Sequence, residues 1–295
     1  MNVEIRDERL RDVVGEDAHV EQLGTGFAFT EGPVWNHAEG HLIFSDMPGN
    51  IMRKWTPDGG IQTFRKPSNM ANGNYYDSEG RLVTCEHATS RITRTEPDGS
   101  ITVLATHYDG KELNSPNDII VKSDGSIYFT DPSFGRMDYY GVPRETELDF
   151  RGVYRLHPES GDLTLLASDF DQPNGLCFSA DESQLFVNDT MKNHIRVFDV
   201  TVDGSVSNSR VWAEVTGDRE GAPDGMKIDS EGNLCTTGPG GIHYFSPNAT
   251  SLGVIYVPEG VANFVWGEDD LRSMFITAST SLYRVRVRVP GTTVF

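Results

Sequence analysis

The sequence predicts an all-β fold, a six-bladed β-propeller with four-stranded blades, closed by an N-terminal strand in the last blade. Three observations predict it. First, one short phrase recurs in phase along the 295 residues: Glu31-Gly32-Pro33-Val34-Trp35, Asn72-Gly73-Asn74-Tyr75, Pro116-Asn117-Asp118-Ile119, Pro173-Asn174-Gly175-Leu176 and Pro223-Asp224-Gly225-Met226. Each is followed by an acidic turn, at Glu39-Gly40, Glu79-Gly80, Asp124-Gly125, Asp181-Glu182 and Glu231-Gly232. A degenerate sixth copy reads Val261-Ala262-Asn263-Phe264, with Asp269 at the matching offset. Second, apolar alternation with β-branched and aromatic residues fills the space between turns, and helical signals are scarce. Third, the last unit is one strand short, while a spare strand lies near the N-terminus. Repeats of about 40–50 residues signal a propeller, solenoid or array, and four-stranded sheets repeated radially give a propeller.

Taken in order, residues 1–16 form an N-terminal extension in which DERLRDVV, before Gly15, suits one short helix. HVEQLG, from His19, is the spare strand expected to complete blade six. Blade four is the clearest unit: NGLCFS from Asn174, QLFVND from Gln184, HIRVFDV from His194 and SRVWAEV from Ser209. Blade six offers VANFVWG from Val261, MFITAS from Met274 and LYRVRVRV from Leu282. Six similar units sharing one axis make residues 1–295 a single domain. One inter-strand connection is much longer than the rest, Pro132 to Gly152, and its Phe134, Tyr139 and Tyr140 suit a cover over a substrate, although packing on a neighbouring blade explains such a loop equally well.

The formal net charge of −19 argues against nucleic acid and anionic membrane as partners. Cys85, Cys177 and Cys235 each lie in an apolar strand, without a CxxC pair, and read as inert buried thiols. No 18-residue apolar run suggests a membrane span. The N-terminus lacks the apolar segment of a signal peptide, so a cytoplasmic location is expected, with a periplasmic one left open if a leader was removed.

The phrase carries Glu31, Asn72, Asn117, Asn174, Asp224 and then Ala262 at one repeated position, which reads as a ring of oxygen donors around the axis. Asp224 could be an ordinary Asp-Gly turn, but it aligns with Asn117 and Asn174, and Ser230-Glu231-Gly232 already supplies its blade's turn. Glu31, Asn117, Asn174 and Asp224 offer only hard oxygen ligands, which select Ca²⁺ or Mg²⁺ over zinc or copper. Ca²⁺ suits four side chains from four blades, with positions left for water and substrate, so the pattern points to a Lewis-acid centre. Asn72 is expected to face the pocket without touching the ion. In an antiparallel hairpin the second strand ends at the rim where the first begins. Glu86, Asp131 and Phe134 are therefore expected near the substrate, with His87 reaching the rim.

The phrases FTEGPVW from Phe29, SPNDIIV from Ser115, TDPSFG from Thr130, QPNGLCFS from Gln172 and APDGMKID from Ala222 resemble the senescence marker protein / gluconolactonase / luciferin-regenerating-enzyme-like family over roughly residues 20–290. The resemblance implies a six-bladed propeller with an axial divalent ion, usually calcium, and hydrolysis of a small-molecule sugar lactone. It places metal-binding roles on Glu31, Asn174 and Asp224, and a metal or substrate role on Asn117. The animal members hold the sugar with an Arg near the third-blade Asn. Here Ser115-Pro116 precede Asn117 and no matching Arg occurs, which turns the expectation away from D-glucono-lactone itself. In this reading Asp224 is a general base or a direct nucleophile. The alternatives are a phosphotriesterase or aryl-esterase of the diisopropyl fluorophosphatase type and a propeller used only as a binding platform.

Overall fold

In the computed structural model, which describes residues 2–15 and 18–293, six blades stand in a ring. Residues 1 and 16 of the expected N-terminal extension lie outside the described residues. Each blade is an antiparallel meander whose first strand is innermost. These inner strands are Thr30–Asn36, Ala71–Tyr76, Ile119–Val121, Pro173–Phe178, Met226–Ile228 and Val261–Gly267. They touch one another around the axis, and Val261–Gly267 meets Thr30–Asn36 to close the circle. The spare strand does what its position required. Val20–Thr25 pairs with Ser281–Arg286 as the outer strand of blade six, so the two ends of the chain share one sheet.

The sequence pattern explains why the blades stack. Inner strands are covered on both faces, and beyond their polar entry they carry apolar side chains such as Val34-Trp35, Leu176 and Phe264-Val265-Trp266. Six hydrophobic clusters result, one at each junction between neighbouring blades. At the closing junction Trp35 of blade one stacks on Phe275 of blade six with ring centroids 5.3 Å apart. The three cysteines are buried and unpaired, and burial pushes the Cys177 thiol up to about 12.

The N-terminal segment is more than an appendage. Val3–Ile5 adds a fifth strand to blade five by pairing with Ser251–Tyr256. The short helix falls at Leu10–Val13, inside the expected span, and buries Leu10 completely against blades five and six. The expected long connection runs from Pro132 to Phe150, because Arg151 and Gly152 already belong to the next strand.

The recurring glycine in the phrase has a packing cause. A Cβ on Gly32 would lie 1.9 Å from the Asn72 carbonyl oxygen, and one on Gly175 would lie 2.0 Å from that of Asp224. Blades one and four thus rest their first turn directly on the backbone of the next. Gly175→Ala is expected to destabilise the fold by about 2–3 kcal/mol, since the neighbour is backbone and cannot swing away. Gly260→Ala, whose Cβ would meet only Ser279 Oγ at 3.4 Å, is expected to change stability by less than about 0.5 kcal/mol. Urea unfolding of both variants checks this.

Candidate functional site

The five polar members of the ring meet at one end of the axis. Glu31, Asn72, Asn117, Asn174 and Asp224 line a single cavity of about 180 Å³, together with Phe29, Met47, His87, Phe134, Tyr140 and Thr190. Local irregularity turns them inward. The ladder of the inner strand slips between Glu31 and Val34 in blade one, between Ala71 and Asn74 in blade two, and between Pro173 and Leu176 in blade four. Such bulges bend a strand and re-aim its side chains. In blades three and five the regular ladder starts two residues later, at Ile119 and Met226.

Hydrogen bonding fixes which end of Asn174 faces the axis. Thr190 donates its hydroxyl proton to the Pro223 carbonyl at 2.7 Å. The same hydroxyl oxygen accepts from Asn174 Nδ2 at 3.1 Å. Asn174 Oδ1 is left buried without a partner, and so is Asp224 Oδ1. Glu31 Oε2 accepts its neighbour's N–H, from Gly32 at 2.6 Å. Buried polar atoms are nearly always satisfied, so these two bare oxygens, one of them on a carboxylate, leave unmet acceptors beside Glu31 in the cavity wall.

The electrostatics agree. Burial, opposed by the Gly32 N–H and reinforced by the charge of Asp118, raises Glu31 to about 7. Burial first, and then the charge of Glu31, holds Asp224 well above the usual carboxylate range. Two desolvated carboxylates that repel one another take up protons or a cation. Among the described residues no three His, Cys, Asp or Glu side chains form a metal cluster; the donor set fits a hard divalent ion only because two amides join two carboxylates.

The acidic tier expected at the second-strand ends does not reach the cavity. Asp131 accepts the backbone N–H groups of Asn114 and Ser115 at 2.8 and 2.7 Å. Glu86 is taken by Arg91, Thr89 and Asn69 at 2.7, 2.8 and 3.1 Å. Asp131 thus serves the chain that leads into the inner strand, where N–H groups without ladder partners need acceptors, while Glu86 is spent on side-chain donors. Phe134 and His87, by contrast, do line the cavity.

The long connection between the second and third strands of blade three leans over the same opening. Its stem is tied down by Ser115, which donates to the Pro132 carbonyl at 2.6 Å and accepts from the Gly135 N–H at 2.9 Å. Its tip crosses to blade one, where the Tyr139 hydroxyl donates to the Ala28 carbonyl at 2.7 Å and Tyr140 packs edge-on against Phe29. Sequence reasoning missed Thr190, Met47 and Phe29 as cavity residues. It also passed over Asp118 and Asn263, although both stand where other copies of the phrase have glycine. Asp118 is buried with Oδ2 unpartnered, and burial raises its carboxyl while the charge of Lys227 opposes.

Comparison with known proteins agrees with this architecture. A gluconolactonase from Zymomonas mobilis is 34% identical over 308 residues, covering 96% of this chain and 85% of its own. A regucalcin from Oryctolagus cuniculus is 28% identical over 255 residues, covering 84% of this chain and 82% of its own. The solved structure of a gluconolactonase from Xanthomonas campestris superposes with a TM-score of 0.90 at 36% identity, covering 97% of this chain and 94% of that one. The profile of the SMP-30/Gluconolactonase/LRE-like region matches residues 29–280, and the chain belongs to that family.

Proposed function

We propose that this protein is a calcium-dependent lactonase that opens a sugar lactone to its hydroxy acid. The observation that carries the reading is the pair of partnerless buried oxygens, Asn174 Oδ1 and Asp224 Oδ1, in one cavity with Glu31. Its two gluconolactonase relatives support the reaction class. The cavity is small, and its walls alternate aromatic rings with amides, which suits a compact polar ring.

Glu31, Asn174 and Asp224, with Asn117 at or near them, would hold the ion. When bound, such a cation polarises a carbonyl and steadies negative charge on its oxygen. The chain's own residues do the rest. Asp224 takes a proton from water as the water oxygen bonds to the lactone carbonyl carbon. The ring C–O bond then breaks, and Asp224 returns the proton to the departing alkoxide, leaving one hydroxyl and one carboxylic acid. Phe134 and Tyr140 exclude bulk water from this exchange, which strengthens electrostatics inside. Acid release from a panel of lactones in a pH-stat, with and without a chelator, tests the proposal. Activity that survives complete chelation overturns the metal dependence, and inertness toward every lactone overturns the reaction.

Asp224→Asn is expected to lower kcat by about 10³-fold, because it removes both a base and a charge. Asn72→Ala is expected to leave calcium affinity nearly unchanged, as Asn72 holds no cation in this reading. Steady-state kinetics and calorimetric calcium titration of the two variants check the assignment.

The carboxylate shifts also predict a pH signature. Glu31 moves from 4.5 to about 7 on folding, and Asp224 rises too. A group raised on folding stabilises below its ordinary value and loses that contribution as pH climbs through the folded value. The cation-free protein should therefore weaken from pH 4.5 to about 7. A divalent ion needs the ionised carboxylates, so it restores stability chiefly above that range. Saturating Ca²⁺ is expected to raise Tm by about 5 °C at the alkaline end and little at the acid end. Equal shifts at both ends, read by thermal melts, would remove Glu31 and Asp224 as ligands.

A further inference from the structure

We infer that Asn72 presents its amide oxygen to the cavity as an acceptor for a substrate hydroxyl, and that the long loop of blade three sets this polarity through His87. The inference rests on the lactonase reading and names the residue that reads a hydroxyl of the lactone.

The argument follows protons. The Tyr140 carbonyl can only accept, and His87 Nδ1 lies 2.9 Å from it, so Nδ1 carries a proton. Burial lowers His87 to about 4, so at neutral pH the ring holds that proton alone and Nε2 is a bare lone pair. Asn72 Nδ2 lies 3.0 Å from Nε2 and donates to it. The amide therefore has its nitrogen turned toward the histidine. Its other end, Oδ1, is buried and has no protein partner, in a residue that lines the cavity.

An acceptor left bare in a cavity wall demands a donor from whatever fills the cavity, since an unmet buried acceptor carries a desolvation cost. The ester group of a lactone has only acceptors. The donor must then be a hydroxyl elsewhere on the ring, and a plain alkyl lactone has none to give. Sites built to pair with a substrate hydroxyl discriminate strongly against analogues that lack it. The loop matters because Tyr140 is the residue that holds the proton on Nδ1. With the other tautomer, Nε2–H would consume Asn72 Oδ1 and turn the amide N–H groups toward the substrate, reversing what the site reads.

Two measurements on the full-length protein decide it. Nitrogen NMR of the His87 ring, assigned with His87→Gln, is expected to show the Nδ1–H tautomer; the Nε2–H tautomer would overturn the inference. Wild type and Asn72→Ala are then compared on hydroxylated δ-lactones and on δ-valerolactone, both with calcium. The kcat/KM ratio of hydroxylated to unsubstituted lactone is expected to fall about tenfold in the variant. A merely structural role would lower both rates and leave the ratio, and that result also overturns the inference. The NMR needs neither turnover nor a folded Asn72 variant. If the wild type opens no lactone, the lactonase reading falls by itself and the tautomer still decides the polarity of Asn72.

Discussion

One hydrogen bond, repeated at five junctions around the axis, organises the centre of this molecule: from blade one to blade six, a donor of each blade meets the backbone carbonyl of the following blade's ring residue. Ser45 Oγ donates to the Asn72 carbonyl at 2.8 Å, Gly73 N to that of Asn117 at 2.8 Å, and Thr130 Oγ1 to that of Asn174 at 2.8 Å. Asn188 Nδ2 donates to the Asp224 carbonyl at 2.6 Å, and Gly225 N to that of Ala262 at 2.8 Å. This contact requires the blades to meet backbone to backbone, and the glycines of the phrase permit it. Because the carbonyls of Asn72, Asn117, Asn174 and Asp224 are each held by the blade before, those side chains are aimed from a fixed base. The bond that joins these blades therefore also helps to position the oxygen donors.

A second repeated device supports the first. Asp46 accepts the Ala28 N–H at 2.9 Å, Asp131 those of Asn114 and Ser115, and Asp189 those of Asp171 and Gln172 at 2.8 and 3.1 Å. In each case an acid at the end of the second strand clamps the chain two or three residues before a ring residue. These carboxylates are as regular as the ring, and equally buried, yet their work is to satisfy backbone donors. Periodicity alone does not separate the two tiers.

That distinction marks how far the sequence could be read. The blade count, the limits of blade four's two middle strands, Gln184–Asp189 and His194–Val200, and the closure by Val20–Thr25 were legible, because strand length and turn spacing set the repeat. The convergence of Glu31, Asn117, Asn174 and Asp224 was legible for the same reason. Glu86 and Asp131 share the pocket's rim, but what decides their direction is the donors beside them, backbone N–H groups for Asp131 and the side chains of Arg91, Thr89 and Asn69 for Glu86, a three-dimensional fact. Thr190 was invisible because its role depends on the Pro223 carbonyl, which accepts its proton and so turns Asn174. The substitutions of glycine by Asp118 and Asn263 were in plain view, but their meaning needed the knowledge that glycine there serves inter-blade contact.

The axis also ties stability to function. Glu31, Asp118 and Asp224 are carboxylates raised by burial, in a protein whose six clusters of apolar side chains keep water from the blade junctions. Lys227 opposes the shift at both Glu31 and Asp118, and its ammonium reaches Asn263 Oδ1 at 3.4 Å. One ammonium against three acids leaves an excess of negative charge where the dielectric is low. Such an excess is resolved by protons or by a cation, since desolvated like charges cannot all stay ionised. A site of this kind has its binding free energy stored in the folded backbone: the inter-blade hydrogen bonds hold the carboxylates together against their repulsion, and whatever neutralises them also relieves the strain on the ring.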